Sequence, residues 1–144
     1  MDERYAAIDV KGKGLVIFTA YVYSTCIGHY ILKSNHPRCS HAGVVNVVRD
    51  AIKQFTRPIH MVVGGLHLGG PELYDRIEPT VHFLSQRIRP APTYVLPMHC
   101  SGFPVKVSLQ KELGEGCIPA GTGMVCEILA GSQELDERLS VSIK

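Results

Sequence analysis

Short apolar runs and amphipathic runs alternate along this chain, and that alternation constrains its fold more than any other feature. Five runs rich in β-branched residues and bounded by glycine or proline predict strands: residues 5–10, 14–20, 58–65, 92–100 and 121–130. Between the later strands, apolar residues recur at helical spacing in three segments: residues 43–55, 71–88 and 104–116. Two strands followed by alternating helices and strands predict an α/β fold, with helices layered on a sheet.

Composition limits the class of protein and its partners. A chain of 144 residues with 45% hydrophobic and 19% charged residues is typical of a globular domain that can bury a core. The net charge is only +2 and the basic residues are scattered, so we expect neither nucleic acid nor an anionic membrane as a partner. The longest apolar run, residues 14–32, is interrupted by polar groups and lacks a small-residue cleavage site, so we predict neither a signal peptide nor a transmembrane helix. Five cysteines without a CxxC spacing favour free thiols in a reducing compartment, which predicts a cytoplasmic protein.

Three of the seven histidines lie after predicted strands. His67 comes just after the run of residues 58–65, His99 follows the apolar stretch "YVLPM" near the end of residues 92–100, and His41 follows residues 14–20 across an intervening segment. Ligands of α/β sheets bind outside the carboxyl ends of the strands, so these imidazoles predict a shared site at one sheet edge. Their positions alone leave both a metal-binding and a structural role open. The histidines without this placement are interpreted as structural or surface residues: His29, His36, His60 and His82.

The cysteines allow two kinds of chemistry at the same turns. Cys39 and Cys100 lie close to His41 and His99 in the sequence, and a thiolate is a good zinc ligand. A cysteine nucleophile activated by one of these histidines is the rival interpretation, although no orienting carboxylate is evident. Two cysteines in apolar surroundings are predicted to be buried packing residues: Cys117 and Cys126.

Three ordered blocks of the chain resemble the second half of a metallo-β-lactamase-fold subfamily. The blocks are "GKGLVIFTA" with "CSHAGVVNVVRDA", then "RPIHMVVGGLHLGG", then "YVLPMHCSGFPVKVSL", and the resemblance runs from about residue 10 to residue 130. The subfamily includes ribofuranosylaminobenzene-phosphate synthase-like and dihydropteroate synthase-related metallo-hydrolases. The resemblance implies that residues 1–130 form half of a four-layer αββα sandwich, namely one mixed β-sheet with helices on one face.

The resemblance also implies a two-metal site at one edge of the paired sheets. Cys39, His41 and His99 would be the metal ligands that this chain contributes, with zinc as the expected metal and manganese or iron as alternatives. Two bound metal ions would generate a hydroxide nucleophile and polarise an ester, lactone or phosphoester bond of a small-molecule substrate. Four further residues of the same turns would line the substrate pocket: Ser40, His67, Cys100 and Ser101.

The main metal motif of the family, HxHxDH, has no match in this chain. We therefore expect an incomplete metal site and no catalysis by this chain alone, so its assignment as an enzyme stays open. A half sandwich would also leave an apolar sheet face without its opposing sheet. The alternative function is accordingly a non-catalytic remnant that binds a partner, or self-associates, through that face.

Residues 21–38 interrupt the resemblance, because the related sequences run from the strand directly into the "CSH" turn. An intron retained in frame would explain this segment, and its possible codons are compatible with splice signals. A genuine surface insertion is the alternative, which loops tolerate at a modest entropic cost. The last residues, 131–144, are predicted to form a polar tail.

Overall fold

The computed structural model describes residues 5–19, 25–27, 30–32, 43–129 and 140–143. Eight strands lie in these ranges: β1 (Ala6–Val10), β2 (Gly14–Phe18), β3 (Thr25–Ile27), β4 (Tyr30–Leu32), β5 (Ile59–Gly64), β6 (Tyr94–Pro97), β7 (Met124–Glu127) and β8 (Ser140–Ile143). They are accompanied by three α-helices: α1 (Val44–Gln54), α2 (Ile77–His82) and α3 (Phe103–Leu113). This order of elements confirms the predicted α/β fold.

The main sheet has four strands in the order β1–β2–β5–β6. A turn at residues 11–13 joins β1 to its antiparallel neighbour β2. The other two pairs, β2–β5 and β5–β6, are parallel. Parallel neighbours need a crossover connection, and here α1 lies in the first crossover and α2 in the second. The sheet is therefore mixed, as predicted.

The helices pack on one face of the sheet. Alternate side chains of β2 point to opposite faces, so Leu15 and Ile17 lie on the helix side whereas Val16 lies on the other side. The main buried cluster joins this helix side of the sheet to all three helices through residues such as Val48 and Leu109. A second, smaller cluster on the opposite face contains no helical residue from the described part of the chain.

Helix α1 forms because its apolar residues repeat on one face. Val44, Val47, Val48 and Ala51 are all buried at helical spacing against the sheet. Its polar face carries Asp50, whose carboxylate accepts a hydrogen bond of 2.8 Å from the hydroxyl of Tyr5, just ahead of β1. Burial and this hydrogen bond raise the pKa of Tyr5 to about 12. The helix is thus tied to the outer strand of the sheet as well as to its centre.

An irregularity in β5 decides which of its side chains face the helices. Leu15 of β2 pairs with Ile59, but the next residue, Val16, pairs with Met61. His60 is therefore an extra residue in β5, as in a β-bulge, and it lets Ile59 face the helices while Met61 faces the opposite side. The His60 ring is buried, lies edge-on to Tyr94 with 5.5 Å between centroids, and has its pKa lowered by burial and by the charge of Lys13.

Two short hairpins lie outside the main sheet. β3 pairs with β4 inside the predicted insertion, whose other residues lie outside the described ranges. β7 pairs with β8, and β8 lies near the end of the segment that the sequence predicted to be a polar tail. Serine alternates with valine and isoleucine over residues 140–143, and this period of two is typical of a strand.

Candidate functional site

The carboxyl ends of β2, β5 and β6 lie side by side at one edge of the sheet. Thr19, the first residue after β2, donates its amide to the carbonyl of Val63 at 2.9 Å and its hydroxyl to the carbonyl of Gly65 at 3.3 Å. On the other side of β5, the amide of Met98 donates to the carbonyl of Gly64 at 3.0 Å. The chain therefore leaves all three strands at neighbouring points, where α/β proteins usually bind ligands.

Two loops at this edge are bonded to each other through their main chains. We call residues 65–70 the β5 loop and residues 98–102 the β6 loop. The carbonyl of Cys100 accepts hydrogen bonds from the amides of Leu68, at 3.0 Å, and Gly69, at 2.9 Å. The hydroxyl of Ser101 accepts a third hydrogen bond, of 3.1 Å, from the amide of Leu66. Ser101 has no exposed surface, so this bond is shielded from water.

Glycines allow the two loops to come this close. A Cβ atom on Gly65 would lie 2.4 Å from Sγ of Cys100 and 2.8 Å from Cε1 of His99. Gly102 has a φ of +77°, and its Cβ would lie 2.9 Å from Cα of Gly69. Any larger residue at Gly65 would displace the side chains of His99 and Cys100, which are two of the predicted site residues. A larger residue at Gly102 would push the β6 loop away from the β5 loop.

The structure brings several of the predicted site residues to this edge. His99 is exposed and Cys100 is half-buried, and both border Gly65. His67 lies in the β5 loop with a φ of +54°, a left-handed conformation that is uncommon for a residue other than glycine. Cys39, Ser40 and His41 lie outside the described residues, so their predicted roles stay predictions. The metal-ligand role of His99 and the pocket roles of His67, Cys100 and Ser101 likewise stay predictions.

The described donors at this edge do not by themselves complete a metal site. Within residues 5–19 and 43–129, no three histidine, cysteine, aspartate or glutamate side chains are grouped closely enough to hold a metal ion. Two imidazoles and one thiol are nevertheless of the kind that zinc prefers. A closed zinc site needs further ligands, and the family resemblance implies Cys39 and His41 in that role, which stays a prediction.

A second feature is an apolar groove on the sheet face opposite the helices. It has a volume of about 700 Å³ and lies between the sheet and residues 118–129, which run back across that face. Val16, Met61 and Leu96 form its floor. Sequence reasoning predicted an apolar sheet face but missed the groove, because nothing in the local pattern of residues 121–130 shows that β7 pairs with β8 instead of with the main sheet.

Comparison with known proteins leaves the function to be argued from the chain itself. No family model matches it, and no curated protein is significantly similar to it. The helices in the described ranges also fall short of the length and apolar character that crossing a membrane requires. The loop pair and the apolar groove are therefore the two features from which a function can be proposed.

Proposed function

We propose that this chain is half of a metallo-β-lactamase-like hydrolase and supplies metal ligands at the carboxyl edge of its sheet. One observation carries the proposal, namely that His99 and Cys100 of the β6 loop lie against Gly65 of the β5 loop. Two of the blocks on which the family resemblance rests, "GGLHLGG" and "PMHCSG", are thus neighbours in the fold although they are distant in the sequence. A site that is assembled from several strand ends requires that the loops after those strands lie at the same edge of the sheet.

In the proposed site, His99 would bind the metal together with Cys39 and His41, while His67 would line the pocket. Imidazole and thiolate ligands favour zinc, and an imidazole-rich set would also accept iron or manganese. A bound zinc ion would act as a Lewis acid on an ester, lactone or phosphoester bond of a small-molecule substrate in the cytoplasm. Because residues 1–144 contain no HxHxDH motif, we propose that these residues by themselves bind metal without turning over substrate.

Local packing would hold the chain's own residues in place at such a site. The hydrogen bonds that the Cys100 carbonyl accepts hold the β6 loop, and with it the main chain next to His99, against the β5 loop. Ser101 is buried and bonded to the β5 loop, and it would therefore act on the pocket by positioning that loop. The Cys100 side chain, which is half-buried beside Gly65, would form part of the pocket wall.

The test is the zinc content of the purified chain after dialysis against zinc, measured by mass spectrometry of the metal. We expect stoichiometric zinc in the parent and its loss in His99→Ala, with an unchanged far-ultraviolet circular dichroism spectrum. His82→Ala is the matched control, because His82 is an exposed histidine on α2 and belongs to neither loop of the pair. Equal zinc content in the parent and in His99→Ala would contradict the proposal.

The apolar groove favours a second candidate, a non-catalytic module that binds a partner or self-associates through this face. Its lining residues are almost all apolar, and exposed apolar surfaces commonly mark interaction sites. A chain that is free of metal and forms dimers in light-scattering measurements would favour this module over the hydrolase. Stoichiometric zinc in a monomeric chain would favour the hydrolase.

A further inference from the structure

We infer that Thr19 is a positioning residue of the sheet edge, which acts together with Ser101 on the peptide group between Gly65 and Leu66. We call Thr19 and Ser101 the hydroxyl pair. The inference deepens the proposed function and rests on it for the role of the β5 loop in a metal site. Its evidence is a single peptide group that two buried hydroxyls hold from opposite sides.

The Thr19 hydroxyl takes the place of a main-chain donor where β2 ends. The parallel pairing of β2 with β5 stops at Phe18 and Val63. Thr19 still donates its amide to the carbonyl of Val63 at 2.9 Å, and its hydroxyl oxygen lies 3.3 Å from the carbonyl oxygen of Gly65 and 3.4 Å from that of Val63. A hydroxyl has one proton, and the Val63 carbonyl already accepts the amide, so the Gly65 carbonyl is the acceptor that needs the proton.

Gly65 depends on this hydroxyl because its carbonyl has few other donors. Gly65 is buried, and no main-chain amide of the described residues donates to its carbonyl. A buried carbonyl that loses its donor costs more free energy than an ordinary hydrogen bond contributes. Removal of the Thr19 hydroxyl should therefore favour conformations of the β5 loop in which this carbonyl meets water.

Ser101 holds the same peptide group from its other side. Its hydroxyl accepts a hydrogen bond of 3.1 Å from the amide of Leu66, and this amide shares a peptide group with the Gly65 carbonyl. The carbonyl and the amide of a planar trans peptide point in opposite directions, so one hydroxyl reaches the group from β2 and the other from the β6 loop. Thr19 is only 3% exposed and Ser101 has no exposed surface, so both bonds are shielded from water. The hydroxyl pair thus fixes the plane of this peptide group.

The effect of the hydroxyl pair extends to His67. This residue has a φ of +54°, and such a conformation persists in a residue other than glycine only where the surrounding structure holds it. The peptide group that the hydroxyl pair holds precedes His67 in the chain. The amides of Leu68 and Gly69, which donate to the Cys100 carbonyl, follow it. The conformation of His67 is therefore held from both sides, and removal of the Thr19 hydroxyl releases one of them.

The experiment compares two substitutions of the same residue. Thr19→Val removes the hydroxyl and keeps the branched shape of the side chain, whereas Thr19→Ser keeps the hydroxyl. Nuclear magnetic resonance measures how fast the amides of Leu66 and Leu68 exchange with deuterium, relative to the amide of Val62 in the centre of β5. In Thr19→Val we expect both loop amides to exchange at least about tenfold faster relative to Val62 than in the parent, because the Gly65 carbonyl has lost its donor. Thr19→Ser should restore the slow exchange.

Thr80→Val is the matched control. Thr80 is also a buried threonine, at 7% exposure, but it lies on α2. This variant should leave the relative exchange rates of the loop amides unchanged, whatever its effect on the free energy of unfolding. Equal relative rates in Thr19→Val and the parent overturn the inference. Equally fast exchange in Thr19→Ser and Thr19→Val also overturns it, since the shape of the side chain and not its hydroxyl would then hold the loop.

Zinc affinity separates the inference from the proposed function. Gly65 borders the imidazole of His99, the proposed ligand, so a looser β5 loop should weaken zinc binding. In competition with a chromophoric chelator, Thr19→Val should bind zinc several-fold more weakly than the parent, and Thr19→Ser should bind it like the parent. Unchanged affinity in Thr19→Val overturns the positioning role. A parent chain that binds no zinc overturns the proposed function, and the exchange rates then still decide whether Thr19 holds the β5 loop.

Discussion

His60 is a buried histidine inside the central strand β5, and its environment disfavours its charged form. Burial, and to a smaller extent the charge of Lys13, lower its pKa below the ordinary value of 6.5. As the pH falls below that value, the unfolded chain binds a proton at this position while the folded chain does not. The free energy of unfolding should therefore decrease with falling pH until the pKa of the folded state is passed.

His60→Phe should weaken this pH dependence, because phenylalanine keeps an aromatic ring against Tyr94 but cannot bind a proton. We expect a smaller loss of the free energy of unfolding between about pH 7 and pH 5 than in the parent, measured by urea denaturation at each pH. His82→Phe, at an exposed site on α2, should keep the decline of the parent. The prediction fails if both variants show the same pH dependence.

At the residue scale, the sequence predicted where in the fold the site histidines lie but not which residues contact the site residues. The location of His67 and His99 at a sheet edge followed from their places after strands, which local patterns reveal. The burial of Ser101 could not be predicted, because its partner Leu66 is 35 residues away and no local pattern links the two. The extra residue in β5, His60, could not be predicted either, since only the pairing of β5 with β2 shows that it is extra.

At the scale of elements, the two glycines of the loop pair should respond differently to the same added methyl group. Gly102→Ala imposes an unfavourable φ of +77° and a clash with backbone atoms of Gly69, so we expect a loss of about 1–3 kcal/mol in the free energy of unfolding. Gly65→Ala meets only the ends of the Cys100 and His99 side chains, which can move, and should lose less than about 1 kcal/mol.

Urea denaturation measures both losses. A second measurement is the rate at which a thiol reagent modifies Cys100. This rate should change in Gly65→Ala, because the added methyl group displaces the sulfur of Cys100. Cys117, which is buried at 3% exposure, is the internal control for that rate. Equal losses of stability in the two variants would show that the loops are less tightly packed than the structure indicates.

Helices α1 and α3 and the four strands of the main sheet lie within a few residues of their predicted bounds, because local periodicity encodes them. The segment of residues 71–88 was predicted as one helix and instead has three parts. A 3₁₀ turn at Pro71–Arg76 precedes α2, and a π turn at Phe83–Arg87 follows it. Pro79 lies in the first turn of α2, where its missing amide proton is tolerated. Periodicity shows that such a segment is helical but not how its hydrogen bonds are spaced.

At the scale of the whole molecule, the main sheet and the β7–β8 hairpin should differ in stability. β5 pairs with a strand on each side and carries the buried core, whereas β7 pairs with β8 alone among the described strands. A two-stranded hairpin is marginally stable without further packing. We expect the amides of Met61–Gly64 to exchange with deuterium near the rate of global unfolding, and those of Met124–Glu127 to exchange much faster.

Hydrogen exchange followed by nuclear magnetic resonance measures these rates residue by residue. The amides of α3, which packs in the main cluster, provide the reference for the stable part of the molecule. Protection of β7 equal to that of β5 would mean that the hairpin unfolds together with the main sheet and is an integral part of it.

The order of elements predicted the α/β layer, since it restricts the topologies that a short chain can adopt, whereas the mixed sheet was implied only by the family resemblance. The pairing of β7 depends on a strand near the far end of the chain, and the groove that results depends on that pairing. Contacts between distant segments of this kind have no local signature. The αββα sandwich, which needs a second sheet, stays a proposal.

The two hydrogen bonds that the Cys100 carbonyl accepts have a consequence for protein engineering. They fix the geometry of the sheet edge through the main chain, so the side chains at positions 67, 99 and 100 can be randomised in a library without removing those bonds. Position 67 should tolerate mainly glycine, asparagine, aspartate and histidine, because its φ is +54°. Positions 99 and 100 should tolerate a wider range. This edge of the sheet could therefore serve as a scaffold for selecting new sets of metal-ligating side chains.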